Sequence, residues 1–169
     1  MSFLKLCRKR SSCRGYRPTP VPEQRLQYVL ECARHAPSAA NKQPWRIHIV
    51  EGEAKKRLDT SYERPWFTEA PMAVVFTGVS GTNWVRSDGM DYLMCDVAII
   101  CDHFTLAAAE VGLGTCWIAA FDKEAVRRAL GLPPEEVPFF LTPLGFAQES
   151  SSREKQRKTL EEIVVRRTT

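Results

Sequence analysis

The sequence predicts an α+β fold, a mixed sheet covered by helices. Three observations predict it. Strand-like and helix-like segments alternate along the chain, but without a strict βαβ rhythm. Met72 to Thr77 is a continuous apolar run with two adjacent valines, the pattern of a strand buried on both faces. Asp91 to Val111 is a long helical segment with little polar face, the pattern of a central buried helix. The chain has 169 residues, with no internal repeat and no low-complexity linker, so a single domain over 1–169 is expected.

The elements follow in order. Pro22 suits the first turn of a helix running to about Ala36, in which Leu26, Val29, Leu30 and Ala33 form one apolar face. Pro37 stops it, and a loop of small and polar residues leads to Pro44. A strand is predicted from Trp45 to Val50, with Trp45, Ile47 and Ile49 on one face and Arg46 and His48 on the other. A short helix near Glu53–Ser61 precedes the Met72 strand. After the long helix, which Gly112 ends, Thr115 to Ala119 reads as a strand. Asp122 is an N-cap candidate for a helix through Leu130, with Gly131 just beyond it. Val137 to Phe146 reads as a strand that Pro138 and Pro143 confine to an edge or a bulge, followed by a polar tail.

Composition narrows the class. Apolar residues make up 44% and charged residues 26%, the ordinary globular range. No run approaches the roughly 20 apolar residues of a membrane helix, and the N-terminus has no signal-peptide core. A soluble, cytoplasmic protein with no membrane partner is the expectation. Six cysteines form no CxxC pair, and three histidines give no zinc spacing. Cys32, Cys95, Cys101 and Cys116 lie in apolar segments and read as buried, reduced thiols. No metal site is expected.

The net charge of +4 is unevenly spread. Residues 1–17 and 153–169 together carry +9, against −5 for the residues between them. Two basic ends suit either an anion held between them or two solvated tails. A nucleic-acid partner is disfavoured, because neither cluster interleaves aromatics and the body is acidic.

There is no GxGxxG fingerprint and no Walker A loop, and Gly78-Val79-Ser80-Gly81-Thr82 lacks the last glycine of a nucleophile elbow. Asp91, Asp96 and Asp102 are spaced around a helix and read as solvated, capping or buried-paired groups. Three segments are suited to chemistry. In Arg10-Ser11-Ser12-Cys13-Arg14-Gly15-Tyr16, arginines and hydroxyls together suit a phosphate. Pro37 to Trp45 offers small residues with the Ser38 hydroxyl and the Asn41 amide, donor and acceptor for a uracil-like edge; a capped turn is the plainer alternative. Gly112 to Phe121 is a glycine turn into an uncharged strand, suited to laying backbone N–H groups along a ring or simply to core packing.

Taken in this order, the segments resemble the FMN-dependent nitroreductase family. Its R-R-S-x-R-x-Y motif is matched by Arg10, Ser12, Arg14 and Tyr16, and its A-P-S-x-x-N-x-Q-P-W motif by Ala36, Pro37, Ser38, Asn41, Gln43, Pro44 and Trp45. Its G-L-G-T-x-W-I stretch is matched by Gly112 to Thr115, Trp117 and Ile118, and its K-x-R by Lys155 and Arg157. The resemblance spans about Arg8 to Val164.

The resemblance implies a three-layer α/β/α sandwich with a mixed, mainly antiparallel sheet, in an intertwined homodimer with FMN at the subunit interface. It implies that Arg10, Ser11, Ser12 and Arg14 hold the phosphate, ribityl chain and pyrimidine edge, with Lys155 and Arg157 on the same phosphate. Pro37, Ser38, Ala39 and Asn41 would come from the other subunit. Trp117, Ile118, Ala119 and Ala120 would run along the ring, with the Ala119 N–H facing flavin N5. Departures are Ser11 in place of the family's second arginine, Ala120 in place of a glycine, and a short stretch containing Trp84 and Arg86 where the family often shapes its substrate pocket. The implied activity is ping-pong transfer of hydride from NADH or NADPH to an electron-poor acceptor such as a nitroaromatic or quinone, with no catalytic side chain. Dehalogenation, flavin fragmentation and flavin binding without turnover are the alternatives.

Overall fold

The computed structural model describes residues 1–148 and 155–165. Arg153, Glu154, Arg166 and Arg167 of the basic C-terminal cluster lie outside the described residues. The elements are α1 (Phe3–Lys9), α2 (Glu23–Arg34), β1 (Trp45–Glu51), α3 (Gly52–Asp59), α4 (Pro65–Thr68), β2 (Met72–Val79), α5 (Leu93–Glu110), β3 (Gly114–Thr115), α6 (Lys123–Leu130), β4 (Glu136–Gly145) and α7 (Leu160–Ile163).

The four strands lie in the order β1-β2-β4-β3, each pair antiparallel. A parallel bridge between Ser12 and Thr115 makes the sheet mixed. The mostly apolar β2 sits between β1 and β4 and is buried on both faces. Period-two alternation then assigns its residues to two layers. Val74 and Phe76 join α2 and α5 in one core, with Trp45, Ile47 and Ile49 of β1 packed against it. Ala73 and Val75 face Leu58 of α3 and Val126 of α6 on the other side. α5 carries buried residues at most of its positions, which follows from its lack of a polar stripe.

Several boundaries hold. Asp122 caps α6 by accepting from the Glu124 and Ala125 N–H groups, and Gly131 closes it in the left-handed conformation at φ 63°. Arg46 and His48 share the β1 face opposite the α5 core and meet the buried Glu136 carboxylate, with Arg46 Nη1 2.6 Å from Glu136 Oε2. Thr77 Oγ1 donates to Glu136 Oε1 at 2.6 Å.

Other expectations are corrected. The predicted Thr115–Ala119 strand is two residues long. The Cys116 N–H turns to Thr142 Oγ1 at 2.9 Å instead of a ladder carbonyl, and pairing resumes only at Ile118 with Leu141. Of the edge or bulge expected of β4, the bulge is present and the edge is not, because β4 pairs with both β2 and β3. Its prolines are accommodated by a register shift between Phe76 and Thr77, opposite Pro138, and by the interrupted β3 side. Leu141 exchanges both bonds with Ile118 there, so Pro143, two residues on, directs its missing N–H to the same gap. α1, α4 and α7 were not predicted; each is too short to show a period, and among their residues only Leu6 and Phe67 are buried. Cys101 and Cys116 are buried as expected, whereas Cys32 is half-buried and Cys95 is exposed, lying on the helix face turned away from the core.

Candidate functional site

The chain segment from Ser12 to Arg17 is laid along the sheet between β3 and the residues that follow β4. The Cys13 N–H donates to Thr115 O at 2.8 Å, the Arg17 N–H to Phe146 O at 2.9 Å and the Gln148 N–H to Gly15 O at 3.0 Å. The buried Tyr16 hydroxyl turns back to Cys13 O at 2.9 Å and pins the segment. Glycine at 114 permits the approach, since a Cβ there would stand 2.8 Å from Cys13 Sγ.

This placement carries Arg10 to the C-terminal end of α1, beside a recess of about 160 Å³. Arg10, Ser11, the Gly112–Thr115 turn and Ala109 line it. Lys155 returns to the same place, its Nζ donating to Cys7 O at 2.6 Å. Burial and the like charges of Arg10 and Arg157 hold the Lys155 amine below its usual value. The two basic ends therefore converge. Among the described residues, none of these three cations forms an ion pair with an acid. Three crowded, unpaired cations fit a dianionic phosphate.

Beside that recess the segments 10–14 and 115–120 meet at the Ser12–Thr115 bridge, where they run in the same direction. Arg14 reaches Trp66 of α4, its guanidinium carbon 5.9 Å from the ring centroid. The Cys116 thiol lies beside Ser12 and Arg14. Burial pushes the thiol up, against the charges of Arg14 and Arg10 and the Ser12 hydroxyl, so it is held as a thiol. Trp117 packs on Phe140 at 4.9 Å between centroids and donates Nε1–H to Thr105 Oγ1 at 3.2 Å. Ile118 is buried in the bridge to Leu141. Ala119 and Ala120 are exposed, and among the described residues their N–H groups donate to no protein acceptor. Two adjacent free donors beside an uncharged strand suit the nitrogen and carbonyl edge of a flat heterocycle.

Ala120 opens onto a second, larger recess of about 500 Å³ between Thr60–Arg64 and Ala120–Asp122. The Asp122 N–H donates to Ser61 O at 2.9 Å and fastens its two walls together. Ser61 is 5% exposed and its Oγ has no partner among the described residues. The sequence reasoning missed this wall, because it placed Thr60 and Ser61 at the end of the Glu53–Ser61 helix, which in fact stops at Asp59, and gave Tyr62, Glu63 and Arg64 no role. The orphaned hydroxyl that marks it exists only in the fold.

The loop from Pro37 to Gln43 lies elsewhere. Ala40, Asn41 and Gln43 have φ of 49°, 53° and 49°, left-handed values that cost about 1–3 kcal/mol each for residues with a side chain. Local bonds hold them. The Gln43 N–H donates to Ser38 Oγ at 2.9 Å and Gln43 Nε2 to Asn41 Oδ1 at 3.1 Å. The Ala39 N–H donates to Asp96 Oδ1 at 2.8 Å. Asp96, 1% exposed in the first turn of α5, anchors the loop, and its Oδ2 has no partner among the described residues. Asp91, one position before the N-cap Tyr92, accepts from the Leu93 N–H at 2.7 Å.

The loop thus sits at the N-terminal end of α5, while Ala109, near the other end, borders the cationic recess. Thirteen positions separate Asp96 from Ala109, about 20 Å along the helix. One chain brings Arg10, Ser11, Ser12, Arg14, Trp117, Ile118, Ala119, Ala120, Lys155 and Arg157 into one tract, and leaves Pro37, Ser38, Ala39 and Asn41 apart from it.

Residues 7–63 and 58–146 match the model of the nitroreductase family. The chain is 31% identical to an NADH dehydrogenase of Thermus thermophilus, covering 93% of this chain and 92% of that one. It is 26% identical to an iodotyrosine deiodinase of Thermotoga neapolitana, over 95% of each chain. A crystal structure of a nitroreductase family protein from Clostridium difficile 630 superposes with a TM-score of 0.88 at 30% identity, covering both chains fully.

Proposed function

The chain belongs to the nitroreductase family and is an oxidoreductase, and on that premise we propose that it binds FMN and passes electrons from NADH or NADPH to a small electron-poor acceptor. The observation that carries the reading is the tract itself: at one end three cations that pair with no acid among the described residues, at the other the Ala119 and Ala120 N–H groups without a protein acceptor among them, and between them the parallel Ser12–Thr115 bridge. FMN has a dianionic tail and a ring edge that accepts hydrogen bonds. Arg10, Lys155 and Arg157 would neutralise the tail, Ser11 and Ser12 would hydrogen-bond it, and Arg14, steadied by Trp66, would place positive charge at the pyrimidine edge. The Ala119 N–H would orient the ring at N5. When bound, the flavin supplies the hydride chemistry. This chain's residues bind, orient and balance charge; none of them is assigned a proton transfer.

The reading includes a homodimer. The loop of Ser38 and Asn41 stands too far along α5 from its own cations to reach the same ring, so a second copy would supply it. Exposed Phe3, Leu4, Met94, Leu160, Ile163, Val164 and Val165 are apolar surface that such a partner would cover. No described helix is long and apolar enough to cross a membrane.

An absorbance spectrum of the purified protein, followed by anaerobic titration with NADH and NADPH, tests the proposal. Flavin bands that bleach are expected. Colourless protein that takes up no added FMN would overturn the reading. Reductive dehalogenation is the second reading, supported by the likeness to the deiodinase. Comparing turnover of a nitroaromatic with that of a halophenol separates the two.

A further inference from the structure

We propose that the furrow between α3 and α6 holds the phosphorylated adenosine half of the reducing dinucleotide and selects NADPH over NADH, an inference that rests on the oxidoreductase reading above. The recess that starts at Ala120 has Thr60 in its wall. Thr60 also lines a second recess of about 270 Å³, between Arg57 on α3 and Arg128 on α6. The two recesses therefore adjoin at Thr60. They begin beside the N–H groups proposed to face the flavin and lead away between the two helices. Arg128 stands six positions beyond Asp122, about 9 Å further along α6. Ala125 and Ala129 keep the floor of the far recess open.

The charges are distributed as such a ligand requires. On the same elements, Lys55 pairs with Asp59, Lys56 with Glu53 and Arg127 with Glu124. Among the described residues, Arg57, Arg64 and Arg128 are exposed and pair with no acid. The near recess contains Glu63 and Asp122 together with Arg64, while the far recess contains Arg57 and Arg128 and no acid. A dinucleotide has the same polarity: its nicotinamide end becomes cationic on oxidation, and its adenosine end carries the phosphate that distinguishes NADPH. Two arginine forks suit that phosphate. In the wall of the near recess, the Ser61 hydroxyl is buried and has no partner among the described residues, a polar group that a small outward shift would turn to a ribose hydroxyl or a pyrophosphate oxygen.

The test titrates adenosine 2′,5′-bisphosphate and adenosine 5′-monophosphate by calorimetry into the purified full chain, as wild type and as the Arg57→Gln/Arg128→Gln double variant. It also compares KM for NADPH and NADH in anaerobic flavin reduction. The bisphosphate is expected to bind the wild type about tenfold or more tightly than the monophosphate, and the double variant to lose that discrimination together with most of any NADPH preference. Equal binding of the two nucleotides by the wild type, or discrimination unchanged in the variant, overturns the assignment. Nucleotide binding needs no turnover, so the two readings fail separately. A chain that discriminates the nucleotides but whose flavin neither dinucleotide bleaches refutes the oxidoreductase reading. A chain bleached equally well by NADH and NADPH refutes the furrow.

Discussion

Lys155 Nζ donates a hydrogen bond to the carbonyl oxygen of Cys7 at 2.6 Å, across 148 positions of sequence. This bond brings the C-terminal segment onto α1 and sets the Lys155 charge among those of Arg10 and Arg157, close enough for all three to repel. Such a cluster is unfavourable until an anion joins it.

Arg10→Ala and Arg157→Ala should each weaken FMN binding about ten- to a hundredfold, the scale of a hydrogen bond to a charged group. Because both cations would act on one phosphate, the double variant should lose less than the product of the two single losses. Fluorescence titration of flavin-free protein measures the cycle. Multiplicative effects would mean that the cations serve separate sites.

Relief of that repulsion should also appear without flavin. Inorganic phosphate is expected to raise the Tm of flavin-free wild type, by mass action on the folded state. Lys155→Met should reduce the increment. A thermal shift series across phosphate concentrations at constant ionic strength reads it.

FMN-loaded protein should have the mass of a dimer in light scattering. A monomer that retains FMN would contradict the division of the site between copies, since Asp96 and Ala109 stand about 20 Å apart on α5.

Asp96→Ala should destabilise the chain by about 1–3 kcal/mol, because it leaves the Ala39 N–H without its acceptor in a loop that is already strained. Asp96→Asn keeps an oxygen at that position and should be milder. Urea denaturation of both variants tests the order. If the alanine variant were as stable as wild type, the loop would be held by its local bonds alone.

Glu136 ties acid stability to the sheet. Burial alone would raise its carboxyl, but hydrogen bonds from Thr77, His48 and Arg46 outweigh burial and hold it below the usual 4.5. A carboxyl lowered by folding stabilises the protein fully above its unfolded value and loses that contribution as pH falls through its folded value. Wild-type stability should therefore decline as pH falls below about 4.5, and Glu136→Gln should flatten that part of the profile. Denaturant midpoints between pH 3 and 7 measure it.

Much of the fold could be read from periodicity. β2, α5, the two faces of β1 and the capped α6 were legible because a long or mostly apolar segment has only a few ways to bury itself. The three short helices were not, because four to seven residues do not complete a readable pattern. The length of β3 was not, because a threonine hydroxyl on another strand decides where its ladder breaks. In the site, Arg10, Ser12 and Arg14 and the Gly112–Ile118 stretch stood out as motifs. Ser61, Trp66 and Asp96 did not, since what marks each is a neighbour or the lack of one.

By itself the sequence determined the chemistry at hand: cations at both ends, a small-residue loop and a glycine turn into an uncharged strand. Residue type and local spacing are enough to state which groups a ligand could meet. The tertiary structure alone decided which of those groups share a place. It gathered the two basic ends and the Ala119–Ala120 edge into one tract, and held the Ser38 loop about 20 Å away along α5. The physical reason is that sheet pairing and a buried helix set distances between segments far apart in sequence, which no local pattern encodes.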